Sequence, residues 1–211
     1  MDGRAARNLT LRPQSPTEYA ADIANRYESE RPPWDTGQPS AELVRVIEAG
    51  KLPGTDLLEM GCGTGTNAVE LARRGYRVTA VDLVDLAVRL GRQKAVQAGV
   101  KVDFRSGDIT EAALGGPYDV LFDLGLYHGI RDRDLSGFLS AVIRVSRRGT
   151  RWLSLAGNAQ EITPSGPPVV TQEEIRRELG PAFRILELGE FRLDTRAGLK
   201  PLAWSILMER R

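Results

Sequence analysis

The feature that most constrains the fold is a glycine-rich segment that directly follows a short apolar run. The run Asp56–Met60 (DLLEM) has the pattern of a β-strand, and Gly61, Gly63 and Gly65 follow it before a helical pattern begins. Glycines allow a tight turn and a close approach of the backbone to a ligand, and the first turn of a helix presents unpaired N–H groups. This arrangement predicts a loop that binds a nucleotide-like cofactor. A glycine-rich loop without a ligand is the alternative.

The spacing of the glycines indicates which cofactor is bound. A dinucleotide fingerprint reads G-x-G-x-x-G and would need a glycine where this chain has Thr66. Here the third glycine is Gly65, and Glu59 stands two positions before the first, which gives E-x-G-x-G-x-G. Glu59 would repel a pyrophosphate but not a cationic ligand. The pattern resembles the first motif of class I methyltransferases that depend on S-adenosylmethionine (SAM), which implies that Glu59 helps to orient the amino-acid end of SAM.

Strand patterns alternate with amphipathic helical patterns from residue 56 onward. This alternation predicts an α/β fold with a Rossmann-like, doubly wound, mostly parallel seven-stranded sheet that helices cover on both faces. The last two runs are expected to form a hairpin that adds an antiparallel edge. The predicted strands are 56–60, 76–82, 100–106, 118–125, 150–158, 183–193 and 200–210, and the helix between the fourth and the fifth is Arg131–Ser146.

Two helical patterns, Thr17–Glu30 and Ser40–Ala49, precede the first strand and predict an N-terminal helical lid. A loop rich in proline and glycine, Ile162–Val170, is the predicted rim of the active site. The predicted organisation is a single domain over residues 1–211, with residues 1–15 flexible, the lid at 16–50 and the Rossmann-like core at 55–211.

Further cofactor contacts are predicted at the carboxyl ends of the strands, where open α/β sheets bind ligands. Asp82 ends the second strand, and its carboxylate can accept hydrogen bonds from both ribose hydroxyls of an adenosine; capping the helix that begins at Leu83 is the alternative. The resemblance implies that Asp108 binds the adenine amino group and that Ile109 packs on the ring, although Asp108 could equally cap a helix. The predicted cofactor-binding residues are Trp34, Gly37, Glu59, Gly61, Cys62, Gly63, Thr64, Gly65, Asn67, Asp82, Leu83, Gly107, Asp108, Ile109, Asp123, Leu124 and Gly125.

Two segments carry a finer resemblance. The segment 30–40 (ERPPWDTGQPS) is similar to the P-W-D-x-G segment of the thiopurine, thiol and halide methyltransferase-like branch, and 122–130 (FDLGLYHGI) is similar to its F-D-x-G-x-x-H stretch. The resemblance implies that Trp34 and neighbouring Gly37 contact the methionine part of SAM; the alternative is that Trp34 packs the N-terminal helix onto the sheet. The predicted architecture of the chain is also similar to that of tellurite-resistance methyltransferases. The arginine and the cysteine or second histidine common in the branch are replaced here by Leu124 and Tyr127.

The predicted catalytic residues are His128, which is the only histidine, and its neighbour Tyr127. A thiol with a pKa of about 8.5 already supplies thiolate at neutral pH, and a histidine with a pKa of about 6.5 could take the proton from a less acidic nucleophile. A structural role for His128 is the alternative. Cys62, inside the glycine-rich segment, is predicted to pack beside the cofactor and not to act as a nucleophile.

These observations predict a SAM-dependent methyltransferase that acts on a small molecule, with a thiol, halide or other soft nucleophile as the favoured acceptor. A small O- or N-acceptor is the alternative, and a non-catalytic SAM-binding protein is a further one. Methylation of nucleic acid or protein is disfavoured because 29 basic residues against 28 acidic ones leave a net charge of +1 and no basic stripe.

Composition sets the remaining expectations. One cysteine and one histidine are too few for a zinc site, so no metal is expected, and an internal disulfide is impossible. No apolar run reaches the length of about 18 residues that a membrane span needs. We therefore expect a cytoplasmic protein that is a monomer or weak homodimer, with neither nucleic acid nor a membrane as partner.

Overall fold

The computed structural model describes residues 16–29, 32–161 and 168–211. The predicted flexible terminus, residues 1–15, and most of the predicted Pro-rich rim, residues 162–167, lie outside this range.

An eight-stranded mixed sheet forms the centre, with the order β3-β2-β1-β4-β5-β8-β7 and β6 beside β5. Strands β1 to β6 pair in parallel, whereas β8 is antiparallel to both β5 and β7. This confirms the Rossmann-like fold and the C-terminal hairpin. The strands are β1 (Asp56–Met60), β2 (Arg77–Asp82), β3 (Val102–Ser106), β4 (Tyr118–Leu124), β5 (Ser146–Asn158), β6 (Val169–Val170), β7 (Phe183–Arg192) and β8 (Leu202–Arg210).

The prediction of seven strands missed β6, inside the predicted rim loop. This strand has only two residues, Val169–Val170, which pair with Gly157 and Asn158 at the end of β5. A strand so short leaves no periodic pattern in the sequence.

Six helices are described: α1 (Pro16–Ser29), α2 (Ala41–Glu48), α3 (Thr66–Arg73), α4 (Asp85–Ala98), α5 (Leu126–Arg144) and α6 (Gln172–Leu179). Helix α4 ends at Gly99, whose φ of 67° is the left-handed conformation that glycine adopts most readily. Within the described ranges, no helix is both long enough and apolar enough to cross a membrane.

The predicted start of the fifth helix at Arg131 is wrong, because α5 begins at Leu126. Gly125 turns the chain with a φ of 86°, and the Asp123 Oδ1 atom accepts a hydrogen bond of 3.0 Å from the Tyr127 backbone N–H. Asp134 then interrupts the helix with non-helical dihedral angles. Tyr127 and His128 therefore lie on the first turn of a helix and not on an open loop.

The sheet divides the core into two layers because successive strand residues point to opposite faces. Leu57 and Phe122 face α2, α3 and α4, whereas Leu58 and Leu121 face α5 and α6. The largest buried side chain, Trp152, lies in the second layer, where it makes edge contacts with Phe138 and Phe183. Both faces are thus covered, and the carboxyl edge of the sheet is where open α/β sheets bind ligands.

An ion cluster of Tyr127, Arg131, Glu174 and Glu178 joins α5 to α6. The Arg131 guanidinium donates to both carboxylate oxygens of Glu178 and lies 3.0 Å from Glu174, and the Tyr127 hydroxyl donates to Glu178 at 2.8 Å. Glu174 also completes a capping box with Thr171, the N-cap residue of α6. The cluster fixes the helix that follows the predicted rim loop.

Candidate functional site

The glycine loop, residues 61–65, lies at the carboxyl end of β1, between β2 and β4. This is the point where the strand order reverses and where open α/β sheets bind ligands. The glycines Gly61, Gly63 and Gly65 have φ values of 69°, 52° and 72°. A Cβ on Gly65 would lie 2.5 Å from the Phe104 ring, so the backbone there is too close to β3 for any side chain. At position 65 glycine is therefore required both by the backbone conformation and by the lack of space for a side chain.

Asp82 ends β2 and contacts the glycine loop directly. Its Oδ2 atom accepts a 2.7 Å hydrogen bond from the Gly63 backbone N–H, and its Oδ1 atom accepts one of 2.9 Å from Val84 at the start of α4. Asp82 is not the cap of α4, because the N-cap residue is Val84 and no side chain caps this helix; the bond from Val84 closes a short turn before the helix. A carboxylate oxygen has room for a second donor, so the same group can also accept from ribose hydroxyls. Burial raises the pKa of Asp82 above its usual value.

Glu59, near the end of β1, has a carboxylate that is only partly satisfied. It is 2% exposed and accepts hydrogen bonds from the Asn67 side chain and the Ala68 backbone, whereas its Oε2 atom has no partner among the described residues. Burial raises the pKa of Glu59 to about 8. A buried oxygen without a donor beside the glycine loop fits the ammonium group of SAM.

The pH dependence of cofactor affinity follows from Glu59. In the free protein this carboxyl is largely protonated below a pH of about 8, and a bound ammonium would favour its ionised form. Binding then releases a proton, so affinity should rise with pH, by up to about tenfold per unit between about pH 6 and 7.5. Above that range the ligand's own α-amino group begins to lose its charge, at a pKa of about 8.

Titration calorimetry with S-adenosylhomocysteine (SAH) at several pH values tests this dependence. Glu59→Gln should flatten it, because the amide does not titrate. Asp82 and Cys62 are the other titratable groups beside Glu59, so a slope that survives Glu59→Gln would assign the proton to one of them.

The lid contacts the loop through several polar atoms. The Asn67 Oδ1 atom accepts a 2.9 Å hydrogen bond from the Ser40 backbone N–H, at the N-cap of α2. The Thr64 hydroxyl donates to Asp35 at 2.8 Å. The Tyr27 hydroxyl of α1 lies 2.9 Å from where a Cβ on Gly63 would be. The segment that precedes the sheet is therefore seated on the glycine loop.

Trp34 and Gly37 lie in this segment. Trp34 is 39% exposed, its indole N–H donates to the Tyr27 hydroxyl at 3.1 Å, and the two rings meet edge to face. Trp34 thus contacts the N-terminal helix, which the packing alternative requires. Gly37 is exposed, with a φ of 75°. Both residues stay predictions as cofactor contacts.

Asp123 and Tyr127 turn away from the glycine loop. In the register of β1 and β4, Glu59 pairs with Phe122 and Met60 with Asp123, so Asp123 points to the α5–α6 face. Its Oδ2 atom accepts a 2.9 Å hydrogen bond from the Trp152 indole, and burial raises its pKa to about 6. Tyr127 is fully buried in the same layer, within the ion cluster. In this conformation neither side chain reaches a ligand at the edge, so we give both a structural role.

His128 is buried and has a defined tautomer. Its Nδ1 atom accepts a 2.7 Å hydrogen bond from the Gly157 backbone N–H, which leaves the proton on Nε2. Burial and, secondly, Arg131 lower its pKa to about 4. A neutral imidazole with one nitrogen engaged is a poor acceptor for a substrate proton.

The other predicted residues lie around the same edge. Asp108 follows β3, and its Oδ1 atom accepts 2.8 Å hydrogen bonds from the backbone and hydroxyl of Thr110, as a turn cap does. The Cys62 thiol is buried in the apolar layer, and burial raises its pKa, which agrees with packing. The remaining positions are Leu83 after β2, Gly107 and Ile109 after β3, and Leu124 and Gly125 at the end of β4.

Sequence reasoning missed Tyr27, Asp35 and Lys94. Asp35 stands in the quoted P-W-D-x-G segment, which was a usable signal. Lys94 lies on α4, and nothing in a helical pattern shows that its ammonium group bonds to Thr64 and Thr66.

Comparison with known proteins agrees with this geometry. A methyltransferase domain family matches residues 57–149. The 2-heptyl-1-hydroxyquinolin-4(1H)-one methyltransferase of Mycobacteroides abscessus is 29% identical over 77% of this chain and 73% of its own length. The ubiquinone biosynthesis O-methyltransferase of Bordetella pertussis is 35% identical over 40% of this chain. That match spans 36% of the Bordetella enzyme, about a third of its length.

Solved structures share the fold. One, from work on the conversion of a disulfide bond into a thioacetal group during echinomycin biosynthesis, has a TM-score of 0.81 and 25% identity, and covers 91% of this chain and 93% of its own. The magnesium protoporphyrin IX methyltransferase of Synechocystis PCC 6803 with bound SAM has a TM-score of 0.64 and 18% identity, over 99% of this chain and 89% of its own. Domain match, relatives and fold agree with the E-x-G-x-G-x-G loop, and together they indicate that this chain is a SAM-dependent methyltransferase.

Proposed function

We propose that this chain transfers the methyl group of SAM to a small molecule whose accepting atom supplies a reactive anion at neutral pH without a protein base, with sulfur as the preferred atom. The observation that carries this proposal is the state of His128, the only histidine in the chain. A nucleophile that ionises by itself needs no protein base, whereas an alcohol would need one.

The Gly157–His128 hydrogen bond limits the ability of His128 to act as a base. The Nδ1 lone pair is occupied at 2.7 Å, and the pKa of the imidazole lies near 4. At pH 7 a base this weak gives little driving force for taking a proton from a group of pKa 8 or above. What remains is the Nε2–H donor, which can orient an acceptor. A thiol of pKa about 8.5 supplies a few per cent of thiolate unaided.

In this proposal the chain's residues bind and align. When bound, SAM supplies an electrophilic methyl group on its sulfonium, so alignment of the nucleophile is the main demand on the protein. Asp82 holds the ribose hydroxyls, Glu59 holds the ammonium group, and Asp108 with Ile109 takes the adenine. The fit rests on the unpartnered Glu59 oxygen and the loop geometry described above.

The names of similar proteins support two candidate accepting atoms, sulfur and oxygen. The work on the structural neighbour concerns sulfur chemistry, which favours a soft nucleophile and agrees with the resemblance to the thiopurine, thiol and halide branch. The Mycobacteroides relative is named for a 1-hydroxyquinolone, and the Bordetella relative for an O-methylation. An acidic hydroxyl is therefore the second candidate acceptor, and it satisfies the same requirement of self-ionisation.

We expect His128→Asn to lower kcat for a thiol acceptor by less than about tenfold, because the reaction needs no proton transfer to the protein. Loss of a general base would instead cost about 10²–10⁴-fold. The pH profile of kcat/KM should follow the acceptor's own pKa across a series of thiols. A profile fixed near pH 6.5 for every acceptor, and lost in His128→Asn, would restore the base role.

The identity of the acceptor is tested with a panel of thiols, halides, phenols, N-hydroxy heterocycles and amines incubated with SAM. Mass spectrometry should show a gain of one methyl group for thiols or acidic hydroxyls, with faster turnover of the more acidic members. Methylation of amines or alcohols alone would contradict the proposal. SAM binding without any methylated product would support the non-catalytic alternative.

The remaining predictions on context rest on the sequence. The single cysteine agrees with a reducing, cytoplasmic compartment, and we keep a monomer or weak homodimer as the expected state. The organisation as one domain with an N-terminal lid also stays our proposal, supported by the contacts of Ser40 and Asp35 with the glycine loop and its helix.

A further inference from the structure

Lys94 of α4 lies beside the glycine loop and not in open solvent. Its ammonium group donates to the hydroxyls of Thr64, in the loop, and of Thr66, at the start of α3, the latter at 2.8 Å. The side chain is 25% exposed. Lys94 therefore joins α4 to both sides of the bend that is shaped for the cofactor.

Lys94 has a third partner, Asp35, which belongs to the lid. Asp35 is 8% exposed, accepts a hydrogen bond of 2.8 Å from the Thr64 hydroxyl, and has its Oδ1 atom 3.6 Å from the Lys94 ammonium. Thr64 is thus both an acceptor from Lys94 and a donor to Asp35. The chain Asp35–Thr64–Lys94 is the charged link between lid and core, and we call it the latch.

The lid is also held from its other side. The Arg196 backbone N–H, in the turn between β7 and β8, donates to the Pro33 carbonyl at 2.9 Å. Pro33 and Asp35 are therefore tied to two different parts of the core, with Trp34 between them. Movement of the lid away from the loop has to break the partly buried charged link, which is stronger than a neutral hydrogen bond.

We propose that Lys94 is a positioning residue that holds the lid on the glycine loop through Asp35 and thereby sets the affinity and residence time of the cofactor. The inference rests on the binding of SAM at this loop. Its reason is preorganisation: a lid that is already seated has less freedom to lose when the ligand binds, so the binding free energy is more favourable.

The test uses Lys94→Met, Asp35→Asn and their combination in the full-length protein. The matched control is Arg89→Met on the same helix, which removes an exposed ion pair with Asp85 away from the loop. Thermal melting establishes that each variant is folded. Asp35→Asn nearly keeps the shape of the side chain, so it remains informative if Lys94→Met does not fold.

Two measurements distinguish an effect on the seating of the lid from an effect on cofactor binding. The first is quenching of tryptophan fluorescence by acrylamide without ligand; Trp34 is half exposed, whereas Trp152 and Trp204 are buried. Subtracting a Trp34→Phe variant isolates the lid signal. The second is the Kd and dissociation rate of SAH.

We expect both single variants to increase Trp34 quenching and to weaken SAH binding about tenfold, mainly through faster dissociation, with the control unchanged. The double variant should bind SAH no more weakly than the single variant with the lower affinity, because the two residues act through one link. Quenching and Kd within twofold of the control, or fully additive losses, would overturn the proposal. If wild type itself binds no SAH, the cofactor assignment fails, and the quenching result still decides the latch.

Discussion

Asp82→Ala is expected to weaken SAM and SAH binding by about 100-fold or more. The substitution removes the proposed acceptors for the ribose hydroxyls and leaves the Gly63 amide, which donates to Asp82 at 2.7 Å, without its partner. Hydrogen bonds to a charged group contribute about 1.5–3 kcal/mol each. Losing two of them corresponds to about 10²–10⁴-fold in Kd.

Calorimetry on Asp82→Ala is compared with Asp85→Ala, a matched control at the first residue of α4. Asp85 is exposed and pairs with Arg89, so its loss should leave affinity within about twofold. Asp82→Asn removes the charge but keeps the shape of the side chain, so its affinity for SAH should lie between those of Asp82→Ala and Asp85→Ala. An Asp82→Ala variant that is folded and binds SAH within threefold of wild type would remove Asp82 from the site.

Arg131→Met is expected to destabilise the fold by about 3–5 kcal/mol, the usual cost of leaving a buried charge without its partner. Arg131 and Glu178 are each 7% exposed, and Tyr127 and Glu174 share the same cluster. The matched control is Arg177→Met, which removes a second arginine from the same Glu178 carboxylate. Because Arg177 is 67% exposed, its loss should cost at most about 1 kcal/mol.

Urea denaturation at several pH values checks the mechanism. Burial opposes ionisation of Glu174, but the Thr171 backbone and Arg131 outweigh it and lower the pKa to about 2. A carboxyl with a lowered folded pKa stabilises the protein above its unfolded pKa, so this contribution should be lost as pH falls from about 4.5 to about 2. Arg131→Met should reduce that loss. Equal destabilisation by Arg131→Met and Arg177→Met would show that the cluster is not the anchor of α6.

The sheet and the loop were predictable because local chemistry determines them. The buried parallel strands are nearly continuous apolar runs. The left-handed backbone conformation at Gly61, Gly63 and Gly65 strongly favours glycine at these three positions. Asp82 followed from its place at a strand end. These signals need no knowledge of distant contacts, and the structure places them as expected.

The rest of the site depends on contacts between distant segments. Asp123 ends a strand beside the loop, as predicted, but the β1–β4 register turns its side chain to the other face. The early start of α5 depends on that same carboxylate. Lys94 looks like an ordinary helical lysine until Thr64 and Asp35 are brought to it by the fold. The state of His128 depends on the Gly157 amide of β5. No single-segment pattern contains these pairings.

The most direct test is a crystal structure of the protein grown with excess SAH. We expect one molecule per chain at the carboxyl edge of β1 and β2, with its ribose hydroxyls on Asp82 and its ammonium group on the Glu59 Oε2 atom. A nucleoside bound elsewhere, or density for a dinucleotide pyrophosphate across residues 61–65, would contradict it.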